Sequence, residues 1–187
     1  MNQPEQIVRT LDFHLTRPTR LILYGRAALA LGFPGPRPSF FATMDVDAIL
    51  PEVEMAAIDT DTSFWEAIEE TNAALRDSGL YLTHLFADSQ VILRPAWLEH
   101  IVPIHLDDLR FLKLFRPSVD DLILTKMMRV DPQDREDIEF LLLHAGLNSN
   151  SMEELLESAR IPDIPEIYEA YRQNRAWLQE LVSKKTS

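Results

Sequence analysis

The run FFATMDVDAILPEVE, residues 40–54, sets Asp45 and Asp47 one residue apart in an otherwise apolar stretch. Successive side chains of a strand alternate between its faces, so residues two apart share one. Two like charges on one face repel, and burial penalises both, unless water, a cation or a positive side chain meets them. A strand with such a pair is therefore either turned to solvent or part of a cation site. The flanking Met44, Val46 and Ala48 face the other way, which suits both readings.

Composition narrows the classes of chemistry. The chain has 187 residues, a net charge of −12 and no cysteine. That length suits one domain, or a core with an appendage, and is enough for a real hydrophobic core. The acidic balance argues against general DNA binding, which needs a broad positive surface. Without cysteine there are no disulfides, thiol nucleophiles or thiolate metal sites. The five histidines are scattered without the spacing of a zinc site. No apolar run is long enough to span a membrane and the first residues do not read as a signal peptide, so a cytoplasmic setting is expected. The stretch from Arg110 to Arg135 holds Arg110, Lys113, Arg116, Lys126, Arg129 and Arg135, a local positive excess in an acidic chain. It either faces an anionic substrate or pairs with the aspartates between its members.

The elements that must position these residues follow from periodicity and caps. Residues 4–15 read as an amphipathic helix stopped by Pro18. RLILYG, 20–25, reads as a buried strand closed by Gly25. RAALALG, 26–32, is a helix former with Gly32 at its C-cap. FATMDVDAIL, 41–50, is the next strand, ended by Pro51. TSFWEAIEETNAALRDSG opens a helix with Ser63 and Glu66 as a capping box and Gly79 at its close. LYLTHLF and QVILR are expected as two antiparallel strands, and VPIHL and LRFLKLF as short edges. From residue 117 the pattern turns helical. Ser118 caps one helix, Asp131 with Pro132 opens another, SMEELLESAR forms a third, and IPEIYEAYRQNRAWLQELVSKK closes the chain. The order predicts an α+β fold, a small mixed β-sheet with helices packed on it. Residues 1–116 form the α/β core and 117–187 a helical C-terminal segment packed on that core.

LILYGRAALALGFPGPRPSFFATMDVDAIL resembles the signature of the nucleotidyltransferase fold, the DNA polymerase β-like superfamily: a strand, a glycine at its end, a helix, then a strand bearing Asp-x-Asp. PSVDDLILTKMMRVDPQDREDIEFLL resembles a second signature of AbiEii-type and MNT-like bacterial members, a lysine-bearing helix followed by an Asp-x-x-Asp helix start. The resemblance implies a protein that binds a nucleoside triphosphate with Mg2+ and transfers a nucleotidyl group to a tRNA or protein hydroxyl. It also implies a toxin–antitoxin or phage-defence setting with a cognate antitoxin as partner.

By that resemblance Asp45 and Asp47 hold the metal, since Mg2+ takes hard oxygen ligands together with substrate phosphates. Gly25 and the start of the next helix hold phosphates. Lys126 neutralises phosphate charge, and Asp134 or Asp137, which share a helix face, adds a ligand or a base. Plainer readings stand beside these. Asp134 three residues after an N-cap favours the helix dipole, Asp137 pairs on the surface, and Lys126 lays its stem over the core. The chain departs from the family pattern in three places. Arg26 stands where a small residue follows the glycine, and can grip a phosphate or block the pocket. Gln133 replaces the arginine before Asp134. LYLTHLF and QVILR carry no third carboxylate, only His84 and Arg94. An alternative is therefore a catalytically inactive binding module on the same fold; a metal-dependent nuclease is a third reading, weakened by the glycine-helix entry.

Overall fold

The computed structural model describes residues 1–185. It is an α+β structure built on a five-stranded mixed sheet, with eight α-helices among the described residues. The chain divides into two compact units. The first comprises Met1–Ala87 and Ile101–Arg116, the second Asp88–His100 and the chain from Pro117 onward.

The first unit holds the whole sheet. Its strands are β1 (Thr19–Tyr24), β2 (Asp45–Leu50), β3 (Tyr81–Ala87), β4 (Val102–Ile104) and β5 (Leu112–Arg116), in the order β3-β2-β1-β5-β4. β1 runs antiparallel to β2 and parallel to β5, β2 runs parallel to β3, and β4 runs antiparallel to β5. Leu21, Ile22 and Leu23 of β1 and Ala48, Ile49 and Leu50 of β2 are buried in consecutive runs, as expected of strands covered on both faces. Helix α1 (Gln3–His14) is capped by Asn2, whose side chain accepts from the Glu5 N–H. It buries Ile7, Val8 and Leu11, and its Asp12 carboxylate accepts the backbone N–H groups of Arg110, Phe111 and Leu112. Helix α2 (Gly25–Leu31) follows β1 without a linker. At its end, a Cβ on Gly32 would stand 2.5 Å from Arg116 Cδ. Only glycine admits that approach, which lets the Arg116 Nε donate to the Gly32 carbonyl at 3.0 Å while its guanidinium lies 4.1 Å above the Phe33 ring. Helices α3 (Glu52–Asp59) and α4 (Thr62–Leu75) make the crossover that lets β3 lie parallel to β2.

In the second unit, helices α5 (Val119–Thr125), α6 (Pro132–Ala145), α7 (Ser149–Glu157) and α8 (Pro165–Lys185) surround an apolar interior of Leu122, Ile123, Met127, Ile138, Leu141 and Leu178. The segment 88–100 is bound into this unit by polar ties. The Arg94 guanidinium and backbone N–H both donate to the fully buried Asp121 carboxylate, and the Leu93 and Arg160 backbones bridge. No described helix is long and apolar enough to cross a membrane.

Several local expectations are corrected. Residues 41–44 do not extend β2; Pro38–Ala42 form a 3-10 turn that buries Phe40. The cap of α4 is Asp61, which accepts from the Phe64 N–H, not the Ser63–Glu66 box. The residues between Pro51 and Asp59 form α3, unforeseen because its apolar residues are scattered and none of it is buried. QVILR is not a strand. Val91, Ile92 and Leu93 are buried without a ladder, and β3 takes β2 as a parallel neighbour instead.

Candidate metal and nucleotide site

The site grows out of the pairing of three adjacent strands. Tyr24, the last residue of β1, lies opposite Asp47 in the antiparallel ladder, so Gly25 turns away beside that carboxylate. Gly25 adopts a left-handed φ of +65°, which costs a residue with a Cβ but not glycine. A Cβ there would come within 3.6 Å of Asp47 Oδ2. The glycine thus serves one local need, an abrupt turn from strand to helix; a Cβ would make only ordinary contact with the carboxylate. Arg26, next along the chain, directs its guanidinium over the Phe40 ring at 5.6 Å.

On the other side of β2 the ladder is irregular. Val46 pairs with Leu82, but Ala48 pairs with Leu85, so three steps of β3 match two of β2. This is a β-bulge, and its effect is specific. In a regular ladder Asp47 would face Thr83, and His84 would point to the opposite side of the sheet. With the extra residue both Thr83 and His84 oppose Asp47. Burial follows the bulge, since Thr83 and His84 are both exposed where strict alternation would bury one. Asp47 Oδ1 lies 3.1 Å from His84 Nδ1 and accepts from the Thr83 hydroxyl at 3.4 Å. Asp45 is oriented by the Thr43 hydroxyl, which donates at 2.8 Å.

Asp45, Asp47 and His84 each present one ligand atom, and these atoms lie within 4.8 Å of one another. Two donors on a common ion with bonds of about 2.1–2.2 Å stand about 3 Å apart when cis and about 4.3 Å when trans. The 3.1 Å between His84 Nδ1 and Asp47 Oδ1 matches a cis edge, and donors up to 4.8 Å apart share one ion only after the side chains close further. The electrostatics agree. Burial and then the neighbouring Asp45 charge push the Asp47 carboxyl above its ordinary range, and the contacts with His84 and Thr83 offset this only in part. The pair is short of positive charge, the condition a cation relieves. Two carboxylates and an imidazole therefore fit a divalent ion in chemistry, and in spacing after that closure.

The sheet thus brings together Asp45, Asp47 and Gly25 from the sequence-predicted set. Lys126, Asp134 and Asp137 form a cluster within the helical unit. Lys126, directly after α5 and 6% exposed, donates to Asp134 Oδ1 at 3.0 Å and to Asp137 Oδ2 at 2.6 Å. Arg129 Nε donates to Asp134 Oδ2 at 2.6 Å. Asp137 is fully buried. Burial opposes ionisation of Asp134, but the Arg129 hydrogen bond and the Lys126 charge prevail and hold its carboxyl below the ordinary range. These four groups balance two positive charges against two negative ones. Asn174 of α8 donates to the Met127 and Arg129 carbonyls and secures the turn that carries Lys126 and Arg129.

Sequence reasoning noted His84 only as the residue standing where a carboxylate was sought. Its alignment with Asp47 depends on the bulge, and periodicity alone places it on the wrong face. The available signal was the polar doublet Thr83–His84 interrupting the alternation of LYLTHLF.

A family model described as a nucleotidyltransferase of unknown function (DUF6036) matches residues 5–185. No curated protein and no solved structure matches the chain.

Proposed function

Because the chain belongs to the nucleotidyltransferase family DUF6036, we propose that it binds a nucleoside triphosphate with a divalent cation and transfers the nucleotidyl group to a hydroxyl of a tRNA or protein. The observation that carries this reading is the convergence of Asp45, Asp47 and His84 on one small volume directly beside Gly25. In the reaction the acceptor oxygen bonds to the α-phosphorus, the bond from that phosphorus to the bridging oxygen breaks, and pyrophosphate departs. The hydroxyl proton passes to solvent. The bound cation supplies charge neutralisation for the phosphate oxygens.

The chain's own residues bind and orient. Asp45 and Asp47 hold the ion, with Thr43 and Thr83 fixing their carboxylates. The bare backbone of Gly25 leaves room for a phosphate beside them, and Arg26, seated on Phe40, is the nearest cation along the chain for its charge. Lys126, Asp134 and Asp137 support the helical unit in this reading, their charges satisfied by one another and by Arg129.

Thermal unfolding with ATP, CTP, GTP and UTP, each with and without Mg2+ or Mn2+, tests the proposal. A ligand at 100 times its dissociation constant adds about 2.7 kcal/mol to folding stability. One triphosphate should raise the melting temperature in a manner that needs the cation, and Asp45→Asn should abolish that dependence. Labelled-nucleotide transfer onto tRNA or protein then identifies the acceptor. Binding without transfer would favour the inactive module, the reading suggested by an imidazole where a third carboxylate was expected. No shift with any triphosphate would remove both.

A further inference from the structure

We propose that His84 selects the ion: the site takes a first-row transition cation that accepts imidazole beside carboxylate, in preference to Mg2+. The inference rests on the cation-site reading given above and deepens it. An all-oxygen donor set suits Mg2+, which binds through carboxylates, phosphates and waters and gives up water reluctantly. Imidazole suits the later first-row ions best, and even Mn2+, at the weak end of that series, takes a nitrogen donor more readily than Mg2+, which gives up water reluctantly. Asp45 and Asp47 alone would not discriminate strongly. The third donor decides, and here it is a nitrogen.

His84 is built into that role rather than left as a bystander on an edge strand. The bulge at Val46–Ala48 turns it to the same side as Asp47. Its ring stacks on Phe86, with centroids 5.3 Å apart and planes 19° from parallel. Phe86 in turn meets the Tyr24 ring edge-on at 5.9 Å. Tyr24 is the residue opposite Asp47 in β1, so one row of rings ties the orientation of the imidazole to the strand beside the carboxylate. Aromatic contacts of this kind favour one ring orientation, which reduces the side-chain freedom lost when the nitrogen binds an ion. The side chain is also 59% exposed, which leaves an open approach.

The test uses the full chain, stripped of metal with a chelator and titrated calorimetrically with Mn2+ and with Mg2+, without nucleotide. Mn2+-loaded protein is then examined by electron spin-echo spectroscopy, which reads nitrogen coupled to the ion. The wild-type protein should bind Mn2+ more tightly and show the coupling of one imidazole nitrogen. His84→Ala should weaken Mn2+ by about tenfold or more, the scale on which ligand-sphere changes alter metal affinity, and should erase the nitrogen signal while leaving Mg2+ affinity nearly unchanged. His84→Asp, which restores an all-carboxylate set, should narrow the Mn2+-to-Mg2+ ratio by a similar factor. Because His84 is exposed, both variants should fold, and their unfolding curves check this.

An Mn2+-loaded wild-type protein without nitrogen coupling, or a Mn2+-to-Mg2+ ratio that His84→Asp does not move, overturns the inference. These results are separable from the fate of the proposed reaction. Triphosphate transfer with no nitrogen coupling would keep the function and discard the ion selection. Nitrogen-coupled Mn2+ with no triphosphate binding would do the reverse.

Discussion

Replacing Lys126 with methionine separates a lysine that holds the fold from one that meets phosphate. Methionine keeps most of the stem and removes the charge. Asp137, fully buried, would lose the 2.6 Å ion pair, and Asp134 would keep only Arg129, whose side chain is 67% exposed. Removing one partner from a buried ion pair costs about 3–5 kcal/mol, because the remaining charge has been taken out of water. Asp137 is the more deeply committed of the two carboxylates, so Lys126→Met should reach that range. The double variant Lys126→Met/Asp137→Leu removes both charges and should recover most of the loss, since an apolar pair of similar volume is often tolerated in place of a buried ion pair. Urea unfolding followed by tryptophan fluorescence reads the effect, with Trp97 and Trp177 reporting on the helical unit and Trp65 on the sheet unit. A single variant within about 0.5 kcal/mol of wild type, the scatter of ordinary surface changes, would refute the structural assignment. If such a stable variant also lost triphosphate binding, the phosphate role implied by the family resemblance would take its place.

Four further outcomes are expected. Asp12→Ala leaves three backbone N–H groups without their acceptor and should cost roughly 3–9 kcal/mol in urea unfolding, at about 1–3 kcal/mol for each orphaned donor. Burial works against the Asp12 charge, but the N–H groups of Arg110, Leu112 and Phe111 outweigh it and hold the carboxyl below its unfolded value of 3.8. Its contribution is therefore complete above 3.8 and is lost as pH falls through the lower folded value; the wild-type urea midpoint should drop across that acid range more steeply than that of Asp12→Asn. Gly25→Ala forces a Cβ into left-handed backbone and should cost about 1–2 kcal/mol, weakening triphosphate affinity more than cation affinity, because its contact with Asp47 is an ordinary 3.6 Å. Asp45→Asn should lower the pKa of Asp47 in a carbon-detected NMR titration, since the Asp45 charge is, after burial, the next cause of its elevation; an unmoved titration would break the electrostatic account of the pair.

The sequence exposed those parts of the fold that rest on local chemistry. Asp131 with Pro132, and Ser118, mark helix starts by hydrogen-bonding rules that need no tertiary partner, and each stands where those rules put it. The Asp45–Asp47 pair was readable as a shared strand face for the same reason. What escaped depends on distant residues. QVILR has strand-like composition, but a short apolar run takes its conformation from what covers it, and here it is buried without joining the sheet. Helix α3 buries nothing, so periodicity had nothing to register. His84 meets Asp47 through a one-residue slip in a parallel ladder, and no single strand encodes that slip.

The chain passes between its two units at residues 87–88, 100–101 and 116–117. Sheet strands β4 and β5 therefore come after a stretch that belongs to the helices. During synthesis every strand has left the ribosome once residue 116 is out, yet Ile92, Leu93 and Trp97 must wait for polypeptide not yet made. A nascent protein at that stage carries a greasy, unclaimed loop between β3 and β4, the two opposite edges of a sheet already free to form. A fragment ending at Arg116 should accordingly come out of cells insoluble or chaperone-bound, and dissection of this protein by simple truncation should fail where exchange of single side chains succeeds.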